Sequence, residues 1–328
     1  MDTPTTIRGP AAESLARLRE PAFWSEWSIL IALALVFGIF GALSPGVFLT
    51  WGNLGDVLVA ASILVVITVG QAIVVITAGI DLSINATEIL AGIVLGWLFS
   101  HHSGMPLAIL GALGAGLAVG LVNGLVITRG RISDFIVTLG TLSAATGLTL
   151  LISNASPFTI FTPFTVKLAT SGIGPIRYMV LVAAGVAVVA HVVLFHTRLG
   201  VHLLAVGGNR EASASLGIAT ARVKLAAYMI AGLLAAIASV MVISRVGAAE
   251  PTTSTELLLN SVAAVVLGGV SLFGGRGSII GPVAGALVLQ LLLNGLTITN
   301  VPVYWQPIAV GGVVIVSALL SRYAEESG

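Results

Sequence analysis

The stretch "ITAGIDLSINATEILAGIVLG" (76–96) places two carboxylates, Asp81 and Glu88, inside otherwise apolar sequence. A charged side chain near a bilayer centre costs about 2.5 kcal/mol or more, so one kept there is a candidate for transport chemistry. Gly79, Asp81, Ser83 and Asn85 interrupt the apolar run, which reads as a helix break with Asp81 or Ser83 capping the next helix. Asp81 therefore has two readings, a cap or a gating group. Glu88 lies one to two turns further in, where no cap is needed, and is either a hydrogen-bonded packing residue or a pathway group. Two polar stripes join these carboxylates. Thr138, Thr141 and Thr149, with Ala145, recur at steps of three or four on one helix face, and Gln290, Asn294 and Thr297 do so on another. Such donors and acceptors suit a hydroxylated solute, because they replace its lost water contacts. The competing reading is structural: Thr bonds back to its own helix carbonyls, and Gln and Asn hold helices together. Asn260 and Gln71 carry the same two readings.

Other chemistry finds no support. The 328 residues include no cysteine, which removes disulfides and thiolate metal sites. No His–carboxylate pair has zinc spacing, and His101–His102 reads as an exposed loop pair. A Gly-x-Ser-x-Gly nucleophile motif is missing. The strings "GGNREASAS" (207–215) and "GGRGSIIG" (274–281) lack the Gly-Lys-Ser/Thr ending of a nucleotide cradle. A net charge of +1 with no long basic tract argues against nucleic acid. The chain reads as a non-enzyme that needs no cofactor and does not itself bind ATP.

The elements that must position these residues are membrane helices. Mean hydropathy is +1.10 and 57% of residues are hydrophobic, outside the range of soluble chains. Crossing a core of about 30 Å takes roughly 20 apolar residues. Ten such runs stand out, at 27–43, 54–78, 84–100, 106–128, 135–153, 176–195, 224–244, 256–273, 279–297 and 305–321. Trp24, Trp27, Trp51, Tyr304 and Trp305 flank them as interfacial rings do. The expected architecture is an all-α integral membrane protein of about ten transmembrane helices, with an N-terminal segment 1–26, one membrane domain 27–321 and a tail 322–328. With both termini cytoplasmic, eleven Lys and Arg fall inside and only Lys167, Arg177 and Arg245 outside, as the positive-inside rule requires. Gly116, Gly120 and Gly124, and likewise Gly277, Gly281 and Gly285, put small residues on one helix face for close packing. "ATEILAGIVLG" (86–96) and "STELLLNSVAAVVLG" (254–268) echo each other five spans apart, as an inverted repeat would.

One cytoplasmic stretch, "GGNREASASLGI" (207–218), is polar and built like a capped helix. Gly207 and Gly208 permit a tight turn, and Asn209 suits an N-cap. Glu211 favours the first turn of a helix over Arg210–Leu216, and Gly217 suits the left-handed position past its end. About two turns are not stable alone in water, so something must hold them. Ala212, Ser215 and Leu216 offer a small, partly apolar face, and Arg210 and Glu211 polar contacts, for a helix-in-groove contact with a protein. The alternative is a solvated loop.

Three blocks, "GIDLSINATEIL", "HTRLGVHLLAVGGNREASASLGI" (196–218) and "AAVVLGGVSLFGGRGSIIGPVAGALVLQLLLNGL" (263–296), resemble the ribose/xylose/galactose-type permease family of bacterial ATP-binding-cassette importers. The likeness runs from about residue 30 to the end, and departs from many relatives at Ile84–Asn85, where they carry Val-Gly. It implies a permease of the vitamin-B12-importer type in the inner membrane, paired with a second permease copy as a homodimer or heterodimer. Two cytoplasmic ATPase subunits and a periplasmic sugar-binding protein would complete it, and the segment containing Gly208, Asn209, Arg210, Glu211, Ala212, Ser215, Leu216 and Gly217 would be the coupling helix that docks on the ATPase. Asp81, Glu88, Thr138, Thr141, Asn260, Gln290 and Asn294 are the candidate translocation residues. The other reading is a proton-coupled secondary transporter using Asp81 or Glu88.

Overall fold

The computed structural model describes residues 21–326 apart from Thr253; Arg8, Arg17 and Arg19 of the N-terminal segment lie outside the described residues. Lipid offers backbone groups no partners, so apolar runs satisfy themselves as helices. In chain order these are α1 (Pro21–Leu43), α2 (Pro45–Phe48), α3 (Trp51–Ile76), α4 (Ile84–Ser100), α5 (Gly104–Gly130), α6 (Asp134–Ser153), α7 (Pro163–Thr170) and α8 (Tyr178–His196). They continue with α9 (Arg198–Gly208), α10 (Arg210–Ser215), α11 (Thr220–Val246), α12 (Glu256–Leu267), α13 (Ile280–Ile298) and α14 (Gln306–Glu326). Two-residue strands β1 (Phe158–Thr159) and β4 (Ala248–Ala249) pair antiparallel, as do β2 (Gly172–Ile173) and β3 (Ile176–Arg177). Among the described residues, α3, α5, α6, α8, α11 and α13 are long and apolar enough to cross a membrane; shorter apolar helices at Ile29–Leu43, Ile84–Ser100, Glu256–Leu267 and Val303–Val316 fall on the other four apolar runs.

The central element is α3, buried without interruption from Val59 to Ile76. Around it, glycine faces set helix spacing. A Cβ on Gly116 would lie 2.2 Å from the Gly232 carbonyl oxygen, and one on Gly232 would lie 2.1 Å from the Gly116 oxygen, so α5 and α11 touch backbone to backbone. Gly281 and Gly285 do the same for α13 against Gly268 and Ala264 at the end of α12.

The eighth apolar run, expected as a span over 256–273, is a shorter helix. Twelve residues make about 18 Å, well under the hydrocarbon thickness. The rest of the passage is non-helical. Ser254 follows the end of α11 by eight residues, yet its carbonyl accepts a hydrogen bond from the Asn85 amide at the start of α4. The neighbouring Ile84 side chain and the Ala231 backbone both meet the Cβ position of Gly70, which sets α4's first turn at the level of Ala231. Because Ala231 lies fifteen residues before the end of α11, the segment after Gly247 turns back about 22 Å along that helix before α12 starts. α4 and α12 therefore begin side by side and leave in opposite directions. α4 runs toward β1 and β4, where Gly96 packs on Phe158; α12 runs toward the end of α3, where Val270 and Ile76 both close on Gly277.

Candidate functional site

Between the start of α4, the re-entrant segment and α13 lies a cavity of about 540 Å³, within the range of small-molecule sites. Along α3 its wall runs from Asp56 to Leu64, about 12 Å. Beyond Leu64 the rest of α3 is buried, so the cavity is open at the Asp56 end and closed at the Ile76 end. Its mouth is charged: Asp56 pairs with Arg177 at 2.9 Å, and Arg245 and Glu256 are exposed on the wall. Its floor is polar and buried, with Asn85, Glu88 and Asn260. α4 brings Glu88 there one turn after Asn85, α12 brings Asn260 one turn after Glu256, and α13 supplies Gln290 and Asn294.

Four of the seven candidate translocation residues, Glu88, Asn260, Gln290 and Asn294, thus come together on one wall. Glu88 is 6% exposed and has no hydrogen bond or ion pair to any described residue. Asn294 differs from Gln290 in being committed: its amide and that of Asn53 exchange reciprocal hydrogen bonds of 2.9 and 3.0 Å, fixing α13 to α3. Gln71 lies outside the cavity, deep in α3, with its buried carbonyl oxygen unpartnered among the described residues.

Asp81, Thr138 and Thr141 do not line the cavity. They belong instead to a packed network near its closed end. The Asp81 carboxylate accepts from the Ser83 amide (2.8 Å) and the Ser83 hydroxyl (2.6 Å), the geometry of a local turn cap. Ser83 in turn accepts from the Asn123 amide, whose oxygen accepts from the Thr141 hydroxyl at 2.6 Å. Thr138 bonds back to the Asp134 carbonyl and reaches that of Ile80. These groups lock α4, α5 and α6 to the helix break; Thr138, Ala145 and Thr149 of the threonine stripe are buried and Thr141 is half-buried.

Sequence reasoning missed the cluster beside them. Asp134, the first residue of α6, meets Lys224 on α11 at 2.7 Å and accepts from the Tyr228 hydroxyl at 2.8 Å; the same hydroxyl lies 3.2 Å from the Ile80 carbonyl that the break leaves free. Both charged side chains are largely buried. Breaking a buried pair strands the remaining charge at a cost of about 3 kcal/mol or more. We therefore expect Lys224→Met to lower the thermal unfolding midpoint of the purified protein by several degrees, with Asp134→Asn recovering part of it in the double variant. An unchanged midpoint for the single variant would show that the pair does not hold these helices.

At the same end, Gly207 is part of α9 and does not make the turn expected of it. A Cβ there would fall 1.8 Å from the Ile76 carbonyl oxygen, so glycine is needed for contact. Asn209 accepts from the Ala212 amide at 2.8 Å, α10 spans Arg210–Ser215, and Gly217 has φ +84°. Ser213 alone on α10 is buried; Gly208, Arg210, Glu211, Ala212, Ser215 and Leu216 are exposed, Leu216 at 82%.

Residues 53–318 match the family described as branched-chain amino acid transport system / permease component. The chain is 36% identical to the ribose import permease protein RbsC of Escherichia coli over 305 residues, covering 92% of this chain and 95% of that one. It is 33% identical to the D-allose transport system permease protein AlsC of the same organism, covering 92% of each. It is also 32% identical to the L-arabinose ABC transporter permease protein AraH of Azospirillum brasilense, covering 90% of this chain and 87% of that one. No solved structure matches the chain.

Proposed function

From the premise that this chain belongs to the sugar-importer permease family of ATP-binding-cassette transporters, we propose that it moves a monosaccharide or similar small hydroxylated solute into the cytoplasm through the cavity between α3, α4, α12 and α13. It is a multi-pass inner-membrane transport subunit, not an enzyme. ATP hydrolysis belongs to a separate ATPase subunit, and a periplasmic sugar-binding protein delivers the solute. A second permease copy, identical or related, completes the membrane part, which is surrounded by lipid. The single permease domain covers 27–321 with about ten spans, and both termini are cytoplasmic. In that orientation the Asp56 end of the cavity opens to the periplasm, and α10 faces the cytoplasm beside the closed end.

The observation that carries this reading is the cavity floor, where Glu88, Asn260 and Gln290 present acceptors and amides that no described side chain uses. A sugar's hydroxyls both donate and accept, and such groups replace the water it sheds. The helices α4 and α12, beginning at that floor and leaving in opposite directions, are the arrangement expected where two inverted halves meet at a midplane site. Asp81, Thr138, Thr141, Asp134 and Tyr228 then form the closed cytoplasmic gate, which must rearrange for release. The proton-coupled alternative has only Glu88 free, because the Asp81 carboxylate is engaged by Ser83.

The test is a pair of substitutions in the reconstituted importer. Gln290→Leu should reduce ATP-driven uptake about tenfold, the equivalent of about 1.4 kcal/mol at one lost polar contact, while assembly with the ATPase is unchanged. Asn294→Leu should instead lower folded yield, since it strands Asn53. Full uptake by a well-folded Gln290→Leu variant would remove that wall from the pathway.

A further inference from the structure

We propose that Leu272 and Phe273, in the loop "SLFGGRGS" between α12 and α13, join Leu216 of the coupling helix in one apolar docking surface for the ATPase subunit. This rests on the reading of α10 as the coupling helix and extends it to a second loop. Phe273 is 83% exposed and Leu272 51%, comparable to Leu216. Apolar side chains facing lipid are ordinary in such a chain, but these two lie on irregular backbone, which does not occur exposed to hydrocarbon. Their surroundings are those of the aqueous side: Arg276 in the same loop, Arg210 at the start of α10 and Arg222 at the start of α11 are all exposed.

The loop is stiff and bound to the coupling segment. Ser271 donates to the Arg276 carbonyl at 3.1 Å, and Gly274 donates to the Ser271 carbonyl at 3.0 Å, closing it on itself. Gly275 donates to the Ile76 carbonyl at 2.9 Å, and a Cβ on Gly275 would lie 2.4 Å from the Gly208 Cα, one residue before the Asn209 cap. Gly274 and Gly275 hold left-handed conformations, φ +81° and +74°, which allow this approach. The two loops therefore meet backbone to backbone at the end of α3 and move as one body. Leu272 and Phe273 on one side of that seam and Leu216 on the other, with exposed arginines nearby, fit a partner with an apolar cleft and carboxylates at its rim. A force delivered to both loops would reach Ile76, the last residue of the helix that walls the cavity.

The chain has no native cysteine, so Leu216→Cys and Phe273→Cys each carry a single thiol. The full-length permease is placed in lipid nanodiscs, with both faces open to solution, and treated with a membrane-impermeant maleimide, alone and after addition of the cognate ATPase subunits. Labelling of both thiols in the free permease, and its loss at both in a complex verified by co-purification, is the expected result. Retention of labelling at Phe273→Cys while Leu216→Cys is protected would overturn the two-loop surface and leave the coupling helix standing. Retention at both would overturn the coupling-helix reading itself. A Phe273→Cys thiol that resists labelling in nanodiscs without ATPase, yet labels in detergent, would assign the loop to lipid and also overturn the proposal.

Discussion

Leu216→Asp is expected to lower ATP-driven uptake about a hundredfold, the consequence of losing roughly 2.7 kcal/mol where a charge replaces an apolar anchor. The prediction is sharp because Leu216 makes no demand on the fold. It is 82% exposed, follows the last residue of α10, and lies outside the cap made by Asn209 and the left-handed stop at Gly217. Aspartate there leaves those features intact, so insertion, thermal midpoint and solute access to the cavity should match the parent while ATPase co-purification falls. Ala212→Arg, on the first turn of the same helix, should act the same way. Parent-level uptake with either variant would move energy coupling away from α10.

Gly232→Leu is expected to abolish folding of the membrane domain. A Cβ at Gly232 would sit 2.1 Å from the Gly116 carbonyl oxygen and 3.1 Å from the Gly120 nitrogen, both backbone atoms that cannot rotate away. Forcing α5 and α11 apart would also pull Tyr228, one turn earlier on α11, from Asp134 and Ile80. Overpacking of a well-filled contact costs about 3 kcal/mol before any such secondary loss. Gly140→Leu is the matched control, because nothing lies within 4 Å of a Cβ there. The measurement is the fraction of each variant that elutes as a monodisperse species from detergent extracts. Equal recovery of the two would mean that the glycine face is not what sets the α5–α11 spacing.

The apolar runs were legible because lipid forces every long apolar segment to close its hydrogen bonds as a helix. The capped helix α10 was legible because Asn209, Glu211 and Gly217 act locally, within one turn of the ends they define. The half-helix α12 was not legible: hydropathy adds over a window, and the apolar residues Val270, Leu272 and Phe273 after its end extend the sum without extending the helix. Gly207 looked like a turn residue because sequence records the missing side chain and not the carbonyl of Ile76 that fills its place. The Lys224–Asp134 pair was not legible, since each residue stands near a helix end and its partner is ninety residues away. The polar stripes separated for a similar reason. Periodicity assigns residues to a face without saying what the face meets: Thr141 meets Asn123 on α5 and Thr138 the Ile80 carbonyl of the helix break, while Gln290 meets the cavity.

The most direct test of the account is uptake of a radiolabelled neutral monosaccharide, bound by the cognate receptor, into proteoliposomes holding this permease. It should require both ATP and the ATPase subunits and be indifferent to a protonophore, as expected of a chain with no nucleotide cradle of its own and with α10 proposed to dock on the ATPase. Uptake that persists without the ATPase and collapses when the proton gradient is dissipated would contradict the account and make Glu88 the proton carrier of a secondary transporter.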